Sequence, residues 1–252
     1  PQDKINRASQ RVLGVNLNVG DGIFVLSEKE KDQMTLTNKE LDLIKPAYTT
    51  NELQRYRGNP KNQEWVIYTD SSFKDERKIE DYPNIKGHLD KFRRVITSDN
   101  KPYGLHRARN EHFFLGEKII SVRKCAKPTF TYVDFDCYVS ATFYVIKTNR
   151  VNQKYLTGLL NSRLIAFWLK HRGKMQGTNY QIDKQPLLAL PLRFPSSEQQ
   201  TAIATLVNQI LDNRNADPEA DIATIEKKID QIVYLLYDLT SEEIAIVEED
   251  TV

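Results

Sequence analysis

The sequence has few cysteines and no long apolar run, and these shortages exclude several classes of protein. Cys125 and Cys137 are the only cysteines in 252 residues. They match no metal-ligand spacing, so we expect reduced core residues in a cytoplasmic protein. No apolar run approaches the roughly 18–20 residues of a membrane span, and the polar start, PQDKINRASQ, does not resemble a signal peptide. Because the chain also lacks an initiator Met, we expect a piece of a longer protein without a membrane partner.

Sequence motifs for catalysis are also missing. Neither a G-x-G-x-x-G nor a Walker loop is present, which disfavours nucleotide binding. The four histidines occur singly, and no pair has the helical spacing of metal ligands. Asp134 and Asp136 would suit a metal-dependent nuclease, but a turn between strands explains them as well, because turns often contain Asp. We therefore expect no catalytic residue, bound metal or cofactor within this chain.

Charge is distributed unevenly along the chain, although the formal net charge is only +2. Residues 86–127 contain eleven Lys and Arg and four Asp and Glu, a net charge of +7. Residues 212–252 contain three Lys and Arg and twelve Asp and Glu, a net charge of −9. Such asymmetry indicates a basic face for a polyanion and a separate acidic, helical part. Two surfaces that differ only in their charge explain it equally well.

Hydrophobic patterning predicts strands first and helices later. The stretches rich in β-branched and aromatic residues are RVLGVNLNVGDGIFVLS, EWVIYT, KIISVRK, TFTYVD and CYVSATFYVIKT. Between them, PNIKGHLDKFRRVIT predicts a short helix, because Ile85, Leu89, Phe92 and Ile96 recur at helical spacing.

From residue 151 onward the pattern is helical. A helix over 152–171 would place five apolar side chains on one face, namely Leu156, Leu160, Leu164, Phe167 and Trp168. Ser196 and Gln199 have the spacing of a capping box, which predicts the start of a second helix. Asp217 as N-cap and Pro218 at the first helical position predict the start of the last long helix.

The last helix carries apolar residues at alternating steps of three and four, namely Ile222, Ile225, Ile229, Ile232, Leu236 and Leu239. This heptad pattern runs for less than three repeats, too few for an independent coiled coil. One interpretation is a face that packs against another part of a larger protein. The alternative, a helix that completes the core of its own domain, is equally consistent with the pattern.

Two stretches interleave polar, basic and aromatic residues on predicted loops, RRVITSDNKPYGLHRARNEHFF and HRGKMQGTNYQID. Arg and Lys suit phosphates and guanine edges, whereas Asn and Gln pair with adenine. For the second stretch, a helix C-cap at Gly173 followed by a plain loop is the alternative. Together with the basic residues between them, these stretches supply the candidate DNA-binding residues Arg93, Arg94, Lys101, Tyr103, His106, Arg107, Arg109, Arg123, Lys124, Lys127, Arg172, Lys174, Gln176, Asn179 and Tyr180.

The order of these pieces resembles the TaqI-like C-terminal specificity domain of type IIG restriction-modification enzymes and related DNA adenine methyltransferases. The most specific part is LLNSRL, LPL, EQQ and LV in that order, followed by VYLLYDLTSEEI. The resemblance extends roughly from Gly14 to Glu248. One departure is that Pro102–Tyr103 stands where the family often has a Trp-Tyr pair, so that Tyr103 is the one aromatic residue of the pair here.

The resemblance implies an α+β fold, with a mixed, mainly antiparallel β target-recognition domain over 1–195 and a C-terminal helical region for packing or interaction over 196–252. It implies sequence-specific recognition of double-stranded DNA. Catalysis by a site-specific DNA adenine methyltransferase, with or without endonuclease activity, would belong to an N-terminal portion outside this chain. That portion would bind S-adenosylmethionine, and Mg²⁺ if it cleaves. The partners implied are DNA and the enzyme's own methyltransferase and nuclease domains.

A second function fits the same residues. The chain would then be half of a type I restriction specificity subunit, a DNA-binding scaffold that recruits separate modification subunits. A methyltransferase encoded upstream in the same reading frame would favour the first function over this one.

Overall fold

The computed structural model describes residues 3–14 and 17–250. The strands are β1 (Val25–Ser27), β2 (Ile44–Tyr48), β3 (Tyr56–Arg57), β4 (Glu64–Ile67), β5 (Lys118–Val122), β6 (Lys124–Cys125), β7 (Phe130–Val133), β8 (Tyr138–Val139), β9 (Phe143–Ile146), β10 (Lys174–Gln176) and β11 (Asn179–Gln181). The α-helices are α1 (Arg7–Leu13), α2 (Glu28–Gln33), α3 (Asn38–Leu41), α4 (Pro83–Asp90), α5 (Gln153–Leu160), α6 (Arg163–Arg172), α7 (Lys184–Leu188), α8 (Ser197–Ala216), α9 (Ala223–Leu236) and α10 (Ser241–Asp250). The predicted α+β class is confirmed.

The chain divides into two compact units. The first unit comprises residues 1–49, 61–115 and 136–141, and the second comprises 50–60, 116–135 and 142–252. The predicted functional boundary between residues 195 and 196 stays a prediction. Within the part of the chain that the structure describes, no helix is long and apolar enough to cross a membrane.

The first unit contains a four-stranded sheet in the order β1-β4-β2-β8. Strands β1 and β2 are antiparallel to β4, and β8 is parallel to β2. Helix α4 and the turns after it pack into the core of this unit, and all four residues that predicted this helix are buried, namely Ile85, Leu89, Phe92 and Ile96. The strand predicted from EWVIYT is confirmed as β4.

Glu40 is a buried carboxylate that joins two helices of the first unit. It completes a capping box with Thr37 at the start of α3. The same carboxylate accepts hydrogen bonds from the backbone N–H groups of Asn84, at 2.6 Å, and Ile85, at 3.2 Å, in the first turn of α4. Burial raises the pKa of Glu40, but the hydrogen bonds from Asn84, Thr37 and Ile85 outweigh burial and lower the pKa to about 2. The ionised side chain thus supplies the cap that α4 lacks at Tyr82.

The second unit contains a four-stranded sheet in the order β3-β7-β5-β9 and a three-stranded sheet in the order β10-β11-β6. The strands predicted from KIISVRK, TFTYVD and CYVSATFYVIKT are confirmed as β5 to β9, of which β8 belongs to the sheet of the first unit. Ile119 and Phe130 of the larger sheet share one apolar core with helices α5, α8 and α9. Gly158 of α5 lies against α8, since a Cβ there would be 2.5 Å from Cγ2 of Ile203 and 3.0 Å from Cγ2 of Val207.

The single helix predicted over 152–171 is wrong, because the structure has two helices, α5 and α6, that are separated at Asn161–Ser162. Asn161 turns its amide toward the sheet, where Oδ1 accepts from the N–H of Phe130 at 3.1 Å and Nδ2 donates to its carbonyl at 2.7 Å. Ser162 is the N-cap of α6, and its hydroxyl accepts from the N–H of Ile165. Side-chain competition for backbone groups therefore ends the first helix.

The start of α8 is as predicted, whereas the start of α9 is not. Ser196 and Gln199 form the expected capping box. Asp217, predicted as the N-cap of the last long helix, instead ends α8, and α9 begins at Ala223. The reason is local, since Asp217 accepts from the N–H of Glu219 and Asp221 accepts from the N–H of Ala223. These bonds hold the segment DPEAD in turns.

The apolar seam of the last helix packs inside the second unit. Ile222, Ile229 and Val233 are buried in the core that contains α5. Ile225 and Ile232 pack against the same core from positions that are half exposed. Of the two interpretations of the heptad pattern, the structure therefore supports a helix that completes the core of its own domain.

The strand predicted from RVLGVNLNVGDGIFVLS is largely wrong. Its first residues belong to α1, whose N-cap Asn6 accepts from the N–H of Ser9 at 2.9 Å. Val15 and Asn16 lie outside the described residues. Only Val25–Ser27 at the end of the stretch form a strand. The N-cap at Asn6 outweighed the β-branched composition of the stretch.

Candidate nucleic-acid interface

Three basic residues of the first unit are free to meet an anion. Arg94, Lys101 and Arg107 are exposed. Within the described residues, none of the three side chains forms an ion pair or a hydrogen bond to the protein. All three lie on the turns between α4 and residue 110, so this segment presents positive charge that the fold does not neutralise. Such charge suits phosphate binding.

Arg93 and Tyr103 belong to a polar cluster that is already satisfied. The guanidinium of Arg93 pairs with Glu76 at 2.9 Å and donates to the hydroxyl of Tyr103 at 3.2 Å. That hydroxyl donates to Asp90 at 2.6 Å, and the side chain of Tyr103 is only 1 % exposed. The ring is therefore unavailable to stack on a base, and the hydroxyl of Tyr103 links Arg93 to Asp90.

His106 and Arg109 also face the protein. His106 is half-buried, and its Nδ1 lies 3.5 Å from a carboxylate oxygen of Asp99. Arg109 donates from Nη2 to the carbonyl of Val139, and to that of Ser140 at 2.9 Å, and burial lowers its pKa. Arg109 thereby fastens the 136–141 segment to the rest of the first unit.

In the second unit, Arg123 and Lys127 are basic and exposed. The guanidinium of Arg123 lies 5.0 Å from the ring centre of Tyr144. Lys127 is 4.0 Å from a carboxylate oxygen of Glu226. Desolvation, and next the positive charge of Arg55, lower the pKa of Lys127 to about 8.

The second candidate stretch forms a β-hairpin. Gly173 ends α6, as the alternative interpretation expected, but strands β10 and β11 follow it where a plain loop was considered. Gln176 pairs with Asn179 across the two-residue turn, in which Gly177 has a φ of +62°. Strand β6 extends the hairpin, with Lys124 opposite Gln181. The result is a small three-stranded antiparallel sheet.

The side chains of this sheet divide between its two faces. Residues that pair across strands lie on the same face, and residues adjacent in sequence lie on opposite faces. One face carries only polar side chains, and we call it the polar hairpin face. Its members are Lys124, Lys174, Gln176, Asn179 and Gln181. On the opposite face, Tyr180 and Cys125 pack against the core of the second unit. Tyr180 therefore supports the sheet, and Arg172, at the end of α6, lies 5.7 Å from the ring centre of Trp168.

Two residues of this site are absent from the sequence-based candidates, Gln181 and Asp183. The amide nitrogen of Gln176 donates to Oε1 of Gln181 at 2.6 Å. The amide nitrogen of Gln181 in turn donates to the carboxylate of Asp183, at 3.0 and 3.3 Å. The alternation of polar and apolar residues in KMQ and NYQ would have placed Gln181 on this face. Nothing in the sequence alone would have indicated Asp183.

Asp134 and Asp136 follow β7 and precede β8, so they lie in a connection between strands, as the turn interpretation held. Both are exposed. Among residues 3–14 and 17–250, no group of three His, Cys, Asp or Glu side chains is placed to hold a metal ion.

A family model matches the part of the sequence that forms these sites. The model of the TaqI-like C-terminal specificity domain matches residues 45–192, more than half of the chain. The chain belongs to this family. The match ends before α8, so the specificity domain of this chain contains the polar hairpin face and the basic turns after α4.

Among solved structures, this chain is similar to a part of the type IIL restriction-modification enzyme MmeI, solved in complex with DNA. The TM-score is 0.66 at 18 % sequence identity, and the match covers 91 % of this chain. The likeness extends the shared fold well beyond residues 45–192. The match covers 33 % of the MmeI chain, so this chain spans about a third of the length of that enzyme. No curated protein sequence matches.

Proposed function

We propose that this chain recognises a specific sequence in double-stranded DNA, as the target-recognition part of a type IIG restriction-modification enzyme or a DNA adenine methyltransferase. The observation that carries the proposal is membership of the TaqI-like specificity family, in a chain whose exposed polar groups suit DNA. The likeness in fold to an enzyme solved in complex with DNA supports it.

The two kinds of polar group have different tasks in this proposal. The exposed cations Arg94, Lys101 and Arg107 bind phosphates, which sets affinity and orientation without reading sequence. Gln176 and Asn179, on the polar hairpin face, contact base edges. Because their amides are neutral, they add little to the attraction for DNA in general and matter mainly for the choice of bases.

Catalysis belongs to other parts of the parent protein in this proposal. Methylation of adenine requires a base taken out of the stack and an Asn/Asp-Pro-Pro-Tyr/Phe loop to receive it. In this chain the nearest sequence, Asn59–Asn62, lacks the second Pro and the aromatic residue. S-adenosylmethionine, and Mg²⁺ if the parent also cleaves, are assigned to the domains outside this chain, which are also its partners.

The 252-residue chain should therefore bind duplex DNA but neither methylate nor cut it. Incubation of plasmid with labelled S-adenosylmethionine and Mg²⁺ tests the second part, and a gel-shift titration at several salt concentrations tests the first. We expect a retained duplex, a steep fall in affinity with salt, and no label or cleavage in the DNA. Label transfer or cleavage by the purified chain would contradict the assignment of catalysis to other domains.

A further inference from the structure

The polar hairpin face contains a chain of hydrogen bonds that ends on a carboxylate. The bonds run from Gln176 through Gln181 to Asp183, at 2.6 Å and then 3.0 Å. Asp183 occupies the N-cap position of α7, yet its side chain caps no N–H group of that short helix. Its carboxylate is instead used by Gln181, which suggests a task other than the stability of the helix.

The carboxylate determines which way both amides point. An ionised Asp can only accept hydrogen bonds, so Gln181 must present its Nε2 to Asp183. The Oε1 of Gln181 then faces Gln176, and it also can only accept. Gln176 must therefore present its own Nε2 to Gln181. A glutamine amide can otherwise be turned either way, with its oxygen and nitrogen exchanged. The carboxylate of Asp183, which only accepts, fixes one of the two orientations for both glutamines.

The orientation of the Gln176 amide limits what it can read. One N–H of Gln176 is used by Gln181, which leaves Oε1 as an acceptor and a second N–H as a donor. Adenine presents one donor, N6–H, and one acceptor, N7, in the major groove, which matches this pair. Guanine presents two acceptors, O6 and N7, so its O6 would face the Oε1 of Gln176.

We infer that Gln181 and Asp183 are positioning residues, which set Gln176 to read adenine and reject guanine. The inference rests on the proposed function, because it requires that the polar hairpin face meets DNA. It also predicts how the preference can be inverted. A cation in place of Asp183 would donate to Oε1 of Gln181, whose Nε2 would then donate to Oε1 of Gln176. Gln176 would be left with two N–H donors, which match guanine.

The test selects bound duplexes from a library with a randomised segment, at one salt concentration, with the wild-type chain and three variants. Asp183→Lys should move one position of the selected motif from adenine to guanine, with a change in preference of about tenfold or more. Gln181→Leu should abolish the preference at that position. Asp212→Lys makes the same change of charge on an exposed turn of α8, so it should raise the affinity for all duplexes and keep the adenine. Thermal unfolding should show that every variant is folded.

The possible outcomes show whether the inference alone fails or the proposed function fails as well. If wild type selects a motif and either Asp183→Lys or Gln181→Leu keeps it, the inference is wrong and the proposed function stands. If Asp183→Lys does not fold, a Gln181→Leu chain that keeps the motif is sufficient to overturn the inference. If the wild-type chain enriches no motif at all, the proposed function fails first, and the inference fails with it.

Discussion

At the scale of single residues, exposure and hydrogen bonding divide the basic side chains of the first unit into two groups. Arg94 and Arg107 are exposed and unpaired within the part of the chain that the structure describes. Arg109 donates to two backbone carbonyls, and Arg93 is held by Glu76 and Tyr103. The sequence alone does not distinguish the four arginines, because a run of like charges does not show which side chains are paired within the protein and which are exposed.

The double variant Arg94→Gln and Arg107→Gln should weaken the binding of all duplexes by a similar factor. Each lost phosphate contact removes roughly one unit from the slope of log K against log salt concentration, so the slope should become shallower by up to about two units. Gel-shift titrations at four salt concentrations measure this. An unchanged slope would show that the turns after α4 do not contact DNA.

Arg109→Gln is the matched variant with a structural effect. It removes one charge, as each change in the double variant does, but it also breaks the bonds to Val139 and Ser140. We expect the free energy of unfolding to fall by about 1–3 kcal/mol, because the carbonyls lose a charged donor. Urea unfolding measures this free energy for Arg109→Gln and for the double variant, and the loss should be larger for Arg109→Gln. Equal stability of Arg109→Gln and wild type would contradict the structural role.

The residues on the polar hairpin face show how far composition predicts a site. Composition predicted Gln176 and Asn179, because amides beside glycines suit base reading. It also predicted Tyr180, whose ring packs against the core on the opposite face. Gln181 and Asp183 were missed, because the role proposed for them depends on strand register and on hydrogen bonds between side chains. A sequence shows which types of residue are available. Only the pairing of the strands shows which side chains lie on the same face of the sheet.

At the scale of elements, the stability of the first unit should depend on pH through Glu40. The folded state lowers its pKa from 4.5 to about 2. A lowered carboxylate pKa stabilises the folded state fully above pH 4.5, and that stabilisation is lost as the pH falls toward 2. Glu40→Gln, which cannot accept the same set of bonds, should lower the free energy of unfolding by about 1–3 kcal/mol at pH 7.

Urea unfolding at pH 7, 4 and 3 measures this effect of Glu40→Gln. The gap between wild type and variant should shrink as the pH falls. Glu198→Gln removes the same charge from an exposed position in the first turn of α8, and its effect should stay below about 0.5 kcal/mol. A gap for Glu40→Gln of the same size at pH 7 and pH 3 would contradict the account of its pKa.

Two glycines in helices should respond to alanine in opposite directions. A methyl group at Gly158 would lie 2.5 Å from Ile203 and force α5 away from α8, which should cost about 1–3 kcal/mol. Gly87 in α4 is exposed and has open space around it. Gly87→Ala should therefore stabilise the protein by about 0.5–1 kcal/mol, since glycine weakens a helix. Urea midpoints that move in the same direction for both variants would contradict this packing.

Helices and strands with strong hydrophobic periodicity were predictable, and their ends were less so. The helix with Ile85 and Leu89 and the strands from residue 118 to 146 follow the pattern directly. The break at Asn161 could not be predicted, because it depends on hydrogen bonds to Phe130, which is distant in sequence. Asp217 and Pro218 have the right chemistry for a helix start, but turns within DPEAD delay that start to Ala223.

At the scale of the whole molecule, the uneven charge has a structural basis. The acidic residues after 212 lie on or beside α8, α9 and α10, and the apolar side chains of α8 and α9 contribute to the core of the second unit. The basic residues of 86–127 include the exposed turns after α4 and the edge of the small sheet at Lys124. The exposed basic residues are those that the proposed function assigns to DNA, whereas the acidic residues lie on or beside helices that pack within the second unit.

Selection of duplexes by the wild-type chain tests the central claim most directly. The chain is mixed with a library of duplexes that share a randomised segment, and the bound fraction is sequenced and then measured in competition at fixed salt. The account predicts that one motif is enriched and that single-base variants of it bind more weakly by about 1–3 kcal/mol each. Recovered duplexes as random as the library, with equal affinity for all, would contradict sequence-specific recognition by this chain.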